Sequence, residues 1–360
     1  MKILHINAGQ EEGGGKSHIL SLLTQIEDEQ VELLVLEDGI IAKEARQAGI
    51  KVHILGQQSR YHLTVLKKLI DFINSGNYDI VHTHGARANF LMNLIRKKIK
   101  TKWVITVHSD PKLDFLNRGI RGKIFSTLNI KSLKRSDGVI VVTNKFQNLL
   151  VSLGVEKDKI CVIYNGVDFD YELRPNKKNE VFTITYVARL HPIKGHELLL
   201  YALKESHLSS FHLNIIGDGE LRNKLEVKTT ELGLKNAVTF FGIQNNKAIE
   251  LILEKTDLTV LTSYSEGFPL TLLESARQSV PFISTNVGDI SKIIPNASLG
   301  WLIPINDKKA LTTSLEEAYT EWENGILKEK GQQLHDFAAD NFSIQKMCQK
   351  TILFYQKIKG

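Results

Sequence analysis

The chain has 360 residues, of which 42% are hydrophobic and only seven are proline, so it can build two domains with their own cores and should lack long disordered stretches. Its two cysteines, Cys161 and Cys348, are far apart in sequence, which argues against a disulfide framework and favours a reducing compartment. The net charge is +6, and no apolar run approaches the roughly 20 residues that span a bilayer.

The first residues form a strand that leads into a glycine-rich segment. Residues 2–8 fit one short strand and lack the long apolar core of a signal peptide, so we expect a cytoplasmic protein. The loop at 9–17 precedes a helix predicted at about 17–27. Its Gly15-Lys16-Ser17 suggests a P-loop, but Gln10 stands where that motif needs its first glycine. A close backbone approach to a ligand remains the interpretation of Gly14 and Gly15, because consecutive glycines are costly to order.

Strand and helix patterns then alternate along most of the chain. In the first half, strands are predicted at 31–36, 51–55, 78–83, 103–107 and 138–143, with helices at 40–48, 64–74 and 86–97. A second series has strands at 182–188, 211–216, 238–241, 257–263 and 281–285. This alternation favours parallel sheets with helices on both faces. We expect an α/β fold of two doubly wound Rossmann-like domains that face a central cleft.

The domain boundary is predicted near residue 165, where Asn165-Gly166-Val167-Asp168 is followed by a polar run at 174–180. The first domain would span 1–165 and the second 166–343. A final helix, at about 344–360, is free to pack back on the first domain. Asp168-Phe169-Asp170 matches an Asp-x-Asp metal motif, but its place in the hinge makes the match incidental.

Three histidines lie at predicted strand ends of the first domain. His82 and His84 alternate on one strand and so point the same way, but no carboxylate or cysteine partner is evident, and we expect no metal site. His108 emerges where a ligand in the cleft would meet it. It could accept a hydrogen bond from a sugar hydroxyl or shuttle a proton, although a lone histidine is more often structural.

The segment 94–135 carries a charge of +10, and the remainder of the chain sums to −4. Within it, Ile120, Ile124, Phe125 and Leu128 recur at helical spacing between basic residues. Two interpretations stay open: a helix that lies on an anionic membrane surface, and a core-facing helix with a solvated basic face. Nucleic acid is a weaker alternative, because no recognition motif accompanies the charge.

Glycines and cations follow successive strands of the second domain. Arg189 and Lys194 leave one strand together and flank a helix start, an arrangement suited to a diphosphate. An Arg and a Lys five residues apart also occur in solvated loops. Gly217 and Gly242 follow the next two strands, and several glycines at consecutive strand ends indicate a ligand site.

The most informative stretch is Ser265 to Glu274, which lies between a buried strand and a predicted helix. Pro269 suits the first helical position, where its missing N–H has no partner in any case. The helix start offers free N–H groups and a positive dipole end to an anion. Glu274 lies on a mostly apolar helix and needs hydrogen-bond donors, which the hydroxyls of a sugar or ribose could provide. A salt bridge to Glu274 with a solvated Glu266 is the alternative.

These motifs resemble those of the family-four retaining glycosyltransferases, which have the two-domain GT-B fold. The resemblance covers residues 1 to about 303. It rests on Asn165-Gly166-Val167-Asp168, Arg189 with Lys194-Gly195, Gly217-Asp218-Gly219, and Glu266-Gly267-Phe268-Pro269-Leu270 with Glu274. Ala188 stands where the family usually has glycine, and a small residue is retained.

The resemblance implies the following roles. Arg189 and Lys194 would bind the diphosphate of a nucleotide sugar without a required metal or other cofactor, and Glu274 would hold the ribose. The transferred sugar and its phosphate would lie against Glu266 and the backbone of Phe268, Pro269 and Leu270. Gly242 and Ile243 would border the base, while Gly14, Gly15 and His108 would approach from the first domain.

We therefore expect a retaining glycosyltransferase that uses a nucleotide sugar, most simply a UDP-sugar. Its acceptor is expected to be a surface polysaccharide or lipid-linked glycan. A nucleotide-sugar epimerase of similar fold and a non-catalytic sugar-nucleotide sensor are the alternatives. Epimerised donor in the absence of acceptor would identify the first of these alternatives.

Overall fold

The computed structural model describes residues 1–10, 14–26, 29–56, 64–112, 119–170 and 179–360. Contacts divide the chain into two units, and the sequence crosses between them twice. Unit 1 comprises Met1–Gly166 and Ile344–Gly360, and unit 2 comprises Val167–Ser343. No helix of the described ranges is both long and apolar enough to cross a bilayer.

Unit 1 is built on a parallel sheet with helices between its strands. Its strands are β1 (Lys2–Asn7), β2 (Gln30–Val35), β3 (Lys51–Ile54), β4 (Ile80–His84), β5 (Lys102–Val107), β6 (Gly138–Val141) and β7 (Ile160–Val162). Its helices are α1 (Gly14–Gln25), α2 (Ile40–Gln47), α3 (Thr64–Ser75), α4 (Ala86–Ile95), α5 (Gly119–Arg135) and α6 (Asn144–Ser152).

Unit 2 repeats this plan. Its strands are β8 (Phe182–Val187), β9 (Phe211–Ile216), β10 (Val238–Gly242), β11 (Leu258–Leu261), β12 (Phe282–Thr285) and β13 (Trp301–Ile303). Its helices are α7 (His196–Glu205), α8 (Arg222–Glu231), α9 (Asn246–Leu253), α10 (Leu270–Arg277), α11 (Lys308–Glu323) and α12 (Leu327–Phe342), after which α13 (Ile344–Lys359) returns to unit 1.

Strand order in both sheets reverses direction once. The order is β3-β2-β1-β4-β5-β6-β7 in unit 1 and β10-β9-β8-β11-β12-β13 in unit 2, and the pairings are parallel. Each sheet therefore has a switch point, between β1 and β4 in unit 1 and between β8 and β11 in unit 2. Ligands of doubly wound folds bind outside the carboxyl ends of the strands at such points. The α/β prediction of two doubly wound units is confirmed.

Burial explains why the strands form. Every residue of β11 is buried, and β11 is the continuous apolar or β-branched run expected of a strand covered on both faces. Every residue of β4 is buried as well, although two of them are the histidines His82 and His84. Helix α13 covers unit 1 with Ile344, Met347 and Phe354, which lie in one core cluster with Ile3. The C-terminal helix is thus part of the first unit's core.

Two local predictions were wrong. Gly14 and Gly15 form the first turn of α1 rather than a loop, and α1 ends at Gln25. Pro269 directly precedes α10 with an extended backbone (ψ 121°), so the first helical residue is Leu270. The sequence pattern alone thus does not fix where a helix begins, here by up to three residues.

Candidate functional site

The loops at the switch point of unit 2 bring together residues from two distant parts of the sequence. Lys194 follows β8, and Glu266 follows β11. The Nζ atom of Lys194 donates a 2.5 Å hydrogen bond to Oε1 of Glu266, and the two side chains are only 21% and 10% exposed. Ser263 Oγ donates a second hydrogen bond, of 2.6 Å, to the same oxygen. A carboxylate with this partner and this donor is held in a fixed position.

A buried tyrosine fixes the relative position of these two loops. The hydroxyl of Tyr186, on β8, donates to the carbonyl of Lys194 and accepts from the backbone N–H of Thr262, 3.1 Å away. The backbone N–H of Tyr264 donates to the carbonyl of Ile193 at 2.7 Å. The Lys194–Glu266 pair therefore rests on backbone bonds and not on flexible side chains alone.

Close backbone approaches explain two glycines of the site. Gly195 has φ +68°, and a Cβ there would lie 2.3 Å from the Thr262 carbonyl oxygen. Gly217 has φ +130°, and its Cβ would lie 2.1 Å from the carbonyl oxygen of Ala188. Its N–H donates at 2.8 Å to the carbonyl of Gly242, which joins the ends of β9 and β10. A side chain at either position would push the strand-end loops apart.

Arg189 and Glu274 are available to a ligand in different ways. Arg189 is exposed, and no ion-pair partner for it occurs among the described residues. Glu274 is half-buried on α10, and no hydrogen-bond donor of the described ranges reaches its carboxylate. Burial raises the pKa of Glu274, against an opposing effect of the positive charge of Arg277. Such a carboxyl group gains from any donor that enters the site.

The remaining predicted residues of unit 2 surround the start of α10 and the end of β10. Phe268 is 3% exposed and its ring lies 5.1 Å from that of Phe342, which anchors the loop before α10. Leu270 is buried, and no side chain caps the helix that it begins. Ile243, by contrast, is 78% exposed just beyond β10. An apolar side chain in that position offers a flat surface to a ring.

In unit 1, histidines of β1, α1 and β4 form a cluster with His108, which directly follows β5, and two of them, His5 and His18, were not anticipated. All of them are buried except His108, which is half-buried. His5 Nδ1 lies 2.9 Å from His84 Nε2, across the neighbouring strands β1 and β4. His82 contacts the Tyr355 hydroxyl at 2.5 Å and Thr106 Oγ1 at 2.6 Å. The full cluster comprises His5, His18, His82, His84 and His108.

Candidate ligand atoms of His5, His82 and His84 lie within 4.8 Å of one another, a spacing from which a metal site could form. The hydrogen bonds favour another interpretation. Both nitrogens of His82 already have partners, and His5 is bonded directly to His84. A metal ion would have to displace a hydrogen bond of His82, although His5 Nε2 and His84 Nδ1 have no partner in the part of the chain that the structure describes. We interpret the cluster as a packed histidine network, and the absence of a metal requirement stays a prediction.

Helix α5, which lies in the basic segment 94–135, does not have the burial expected of a core-facing helix. On α5, Ile124 is 53% exposed and Phe125 43% exposed, and Leu94 on the adjacent α4 is 50% exposed. Lys97, Lys123 and Lys131 are exposed on the same elements or directly beside them. Arg118 and the side chains of Ile120 and Arg121 lie outside the part of the chain that the structure describes. The apolar side chains of this helix thus do not all face the core.

Two family models match consecutive parts of the chain. Residues 12–171 match the family described as Glycosyltransferase Family 4, and residues 170–334 match the family described as Glycosyl transferases group 1. An Escherichia coli UDP-Gal:alpha-D-GlcNAc-diphosphoundecaprenol alpha-1,3-galactosyltransferase is 29% identical over 69% of this chain and 68% of that protein. A Klebsiella pneumoniae 41.2 kDa protein of unknown function in a cps region is 25% identical over 80% and 81% of the two chains.

A solved structure shows the same fold. Anabaena Alr3699/HepE in complex with UDP-glucose superposes with a TM-score of 0.84 at 20% identity, covering 99% of this chain and 100% of that one. Together the two family models cover residues 12–334, and both sheets have the doubly wound order described above. The chain therefore belongs to the family-four, group-1 glycosyltransferases and has their GT-B fold.

Proposed function

We propose that this glycosyltransferase takes a UDP-sugar as donor, retains the configuration of the transferred sugar, and extends a glycan or lipid-linked acceptor in polysaccharide synthesis. The Lys194–Glu266 pair at the switch point of unit 2 carries the proposal, because it joins a cation for the diphosphate to a carboxylate for the sugar. The names of the Escherichia coli relative and the Anabaena complex support UDP as the nucleotide, and the former supports a lipid-linked acceptor.

The diphosphate would lie between Arg189, Lys194 and the uncapped start of α10. Helix N-termini bind phosphate through free backbone N–H groups and the helix dipole, and cations add charge-assisted bonds. The base would lie against Gly242 and Ile243, with Gly217 leaving room at the neighbouring strand end. In this arrangement Glu266 and the backbone of residues 268–270 hold the sugar. The roles of Gly14, Gly15 and His108 stay predictions.

The proposed reaction takes place on one face of the sugar. The bond between the anomeric carbon and the UDP oxygen breaks, and the acceptor oxygen forms its bond from the side that UDP leaves. The acceptor proton passes to the departing diphosphate oxygen, so no separate carboxylate base is needed. Arg189 and Lys194 stabilise the negative charge that develops on UDP. Glu266, bonded to Lys194 and Ser263, orients the sugar hydroxyls.

Glu274→Gln tests the ribose assignment. Because the Glu274 carboxylate would accept from the ribose hydroxyls, the variant should bind UDP about tenfold more weakly. Wild-type enzyme should prefer UDP to 2′-deoxy-UDP, and the variant should lose most of that preference, as measured by calorimetric titration. Equal losses for both nucleotides, or no loss, would remove Glu274 from the ribose site. Glu329→Gln, on α12 of the same unit, is the matched control.

We propose that transfer needs no divalent metal, since Arg189 and Lys194 supply the positive charge at the diphosphate. Activity should survive excess EDTA with less than about a twofold change. The assay compares initial rates with EDTA alone and with EDTA plus an excess of Mg²⁺ or Mn²⁺. Complete loss that either metal restores would contradict the proposal.

We further propose that the exposed apolar and basic side chains of α4 and α5 rest on an anionic membrane, which would bring the enzyme to a lipid-linked acceptor. The double variant Ile124→Ser, Phe125→Ser should lose most binding to vesicles that contain anionic lipid, as should Lys123→Gln with Lys131→Gln. Sedimentation with neutral vesicles is the baseline. Undiminished binding of both double variants to anionic vesicles would leave α5 a solvated basic helix.

A further inference from the structure

A second histidine of unit 1 lies directly against His108. His18, on α1, is 3% exposed, and its ring centroid is 4.6 Å from that of His108 at an interplanar angle of 71°. His18 Nδ1 lies 3.0 Å from Asn165 Oδ1. An amide oxygen only accepts, so Nδ1 of His18 carries the proton and donates. Asn165 therefore fixes both the ring position and the tautomer of His18.

The ring of His108 depends on neighbouring rings for its orientation, because its buried Nε2 atom is not held by a hydrogen bond among the described residues. The other ring beside it is His84, 5.9 Å away and nearly parallel, at 24°. The orientation of His108 thus depends on an edge contact with His18 on one side and a stacked imidazole on the other.

We propose that His18 is a positioning residue that fixes His108 in the orientation in which it meets the transferred sugar, and that Asn165 acts on His108 through His18. The inference rests on the proposed function and on the predicted contact of His108 with the sugar. It also gives Asn165, at the last residues of unit 1 before the chain crosses to unit 2, a role that its motif alone does not indicate. His18 works through packing and tautomer, not charge, since burial lowers its pKa to about 4.

Nitrogen NMR of the whole enzyme with ¹⁵N-labelled histidine tests this without any substrate. In the wild type, His18 should show one tautomer, with Nδ1 protonated and Nε2 not. Asn165→Ala should mix the tautomers of His18 and also shift the imidazole signals of His108, whereas Asn165→Asp, which retains an acceptor oxygen, should restore the single tautomer. If the His18 signals change while those of His108 stay fixed, the two rings are not coupled and the inference fails.

A double-mutant cycle measures the same coupling in catalysis. His18→Ala should lower kcat by about 10- to 100-fold with the KM for donor little changed, because misorientation of one group has effects of that size. The double variant with His108→Ala should be no slower than His108→Ala alone. Additive losses would show that His18 acts elsewhere. His53→Ala, in the same unit but outside the cluster, should retain the wild-type kcat and controls for general destabilisation.

An inactive wild type would contradict the proposed glycosyl transfer, and the NMR comparison would still decide whether Asn165 and His18 position His108. A coupled NMR response with additive kinetics would likewise overturn only the catalytic half of the inference. The two experiments therefore separate the geometry of the histidine pair from the reaction that it is proposed to serve.

Discussion

Lys194→Ala should lower kcat by about 10²- to 10³-fold while the protein stays folded. The loss follows from the place of the Lys194 ammonium group at the switch point of unit 2, bonded at 2.5 Å to the carboxylate proposed to hold the sugar. Arg189 is the other cation that we propose at the leaving diphosphate. The fold should survive because Glu266 keeps its hydrogen bond from Ser263, and the loop backbone keeps its bonds to Tyr186.

The matched control is Lys224→Ala, which removes another ion-paired lysine of unit 2. Lys224 lies 2.6 Å from Glu197, but both side chains are substantially exposed, and surface pairs of this kind contribute little. This variant should keep wild-type turnover. Single-turnover rates and thermal unfolding of both variants, measured side by side, separate lost chemistry from lost structure. Turnover of Lys194→Ala at the wild-type rate would refute the diphosphate assignment.

Mild acid should unfold unit 1 before unit 2. Burial lowers the pKa of His5 to about 3 and that of His18 to about 4, and burial also lowers the pKa values of His82, His84 and His108 well below the usual range. In the unfolded chain these imidazoles titrate near pH 6.5. Below that pH the unfolded state binds more protons than the folded state, so stability is complete above about pH 6.5 and is lost as the pH falls.

The effect is large because five imidazoles act together. Each imidazole lowers the free energy of unfolding by up to about 1.4 kcal/mol for each pH unit below about 6.5. Five of them together would lower it by about 7 kcal/mol at pH 5.5, which is comparable with the whole stability of a domain. Each imidazole faces other imidazoles of the cluster, so their positive charges would repel one another. The other groups in contact with them are neutral: the hydroxyl of Tyr355 lies against His82, and the amide of Asn165 lies against His18. In unit 2, one buried histidine, His196, has a similarly lowered pKa.

Glu32 acts in a different pH range. Burial would raise its pKa, but hydrogen bonds from Tyr78, Lys51 and His53 lower it to about 2. Its contribution to stability is present above about pH 4.3, the pKa of an unfolded glutamate, and is lost only below that value. A transition between pH 6.5 and 5 is therefore assigned to the histidines.

Tryptophan fluorescence distinguishes the units. Trp103 is buried in unit 1, whereas Trp301 and Trp322 lie in unit 2. In the variant Trp301→Phe, Trp322→Phe, the emission should shift to that of exposed indole between about pH 6 and 5. In Trp103→Phe, emission from unit 2 should persist through the same range. A variant with Trp103 alone whose emission stays constant down to pH 5 would contradict the histidine account.

Much of the fold could be predicted because most parallel strands that are buried on both faces have short, mostly apolar sequences. The stretch at 257–263 indicated β11, and the helix formers after Pro269 indicated α10. Strands at the sheet edges were harder. β7 is three residues long, and the predicted elements did not include it, since so short a run shows no periodicity. The prediction that Gly14 and Gly15 lie in a loop was wrong, because glycine can also occupy the first turn of a helix.

Contacts between distant residues could not be predicted from spacing. Lys194 and Glu266 are 72 residues apart, and their 2.5 Å contact depends on β8 and β11 being neighbours, a consequence of strand order. His5 and His84, 79 residues apart, meet for the same reason in unit 1. The sequence indicated which residues could carry chemistry at each strand end, and the strand order decided which of them touch.

A crystal structure of the enzyme with UDP bound tests the central claim most directly. The account predicts diphosphate oxygens within about 3 Å of Arg189 and Lys194, and ribose hydroxyls at hydrogen-bond distance from the Glu274 carboxylate. UDP found in unit 2 but away from these three side chains, or bound in unit 1 alone, would contradict it.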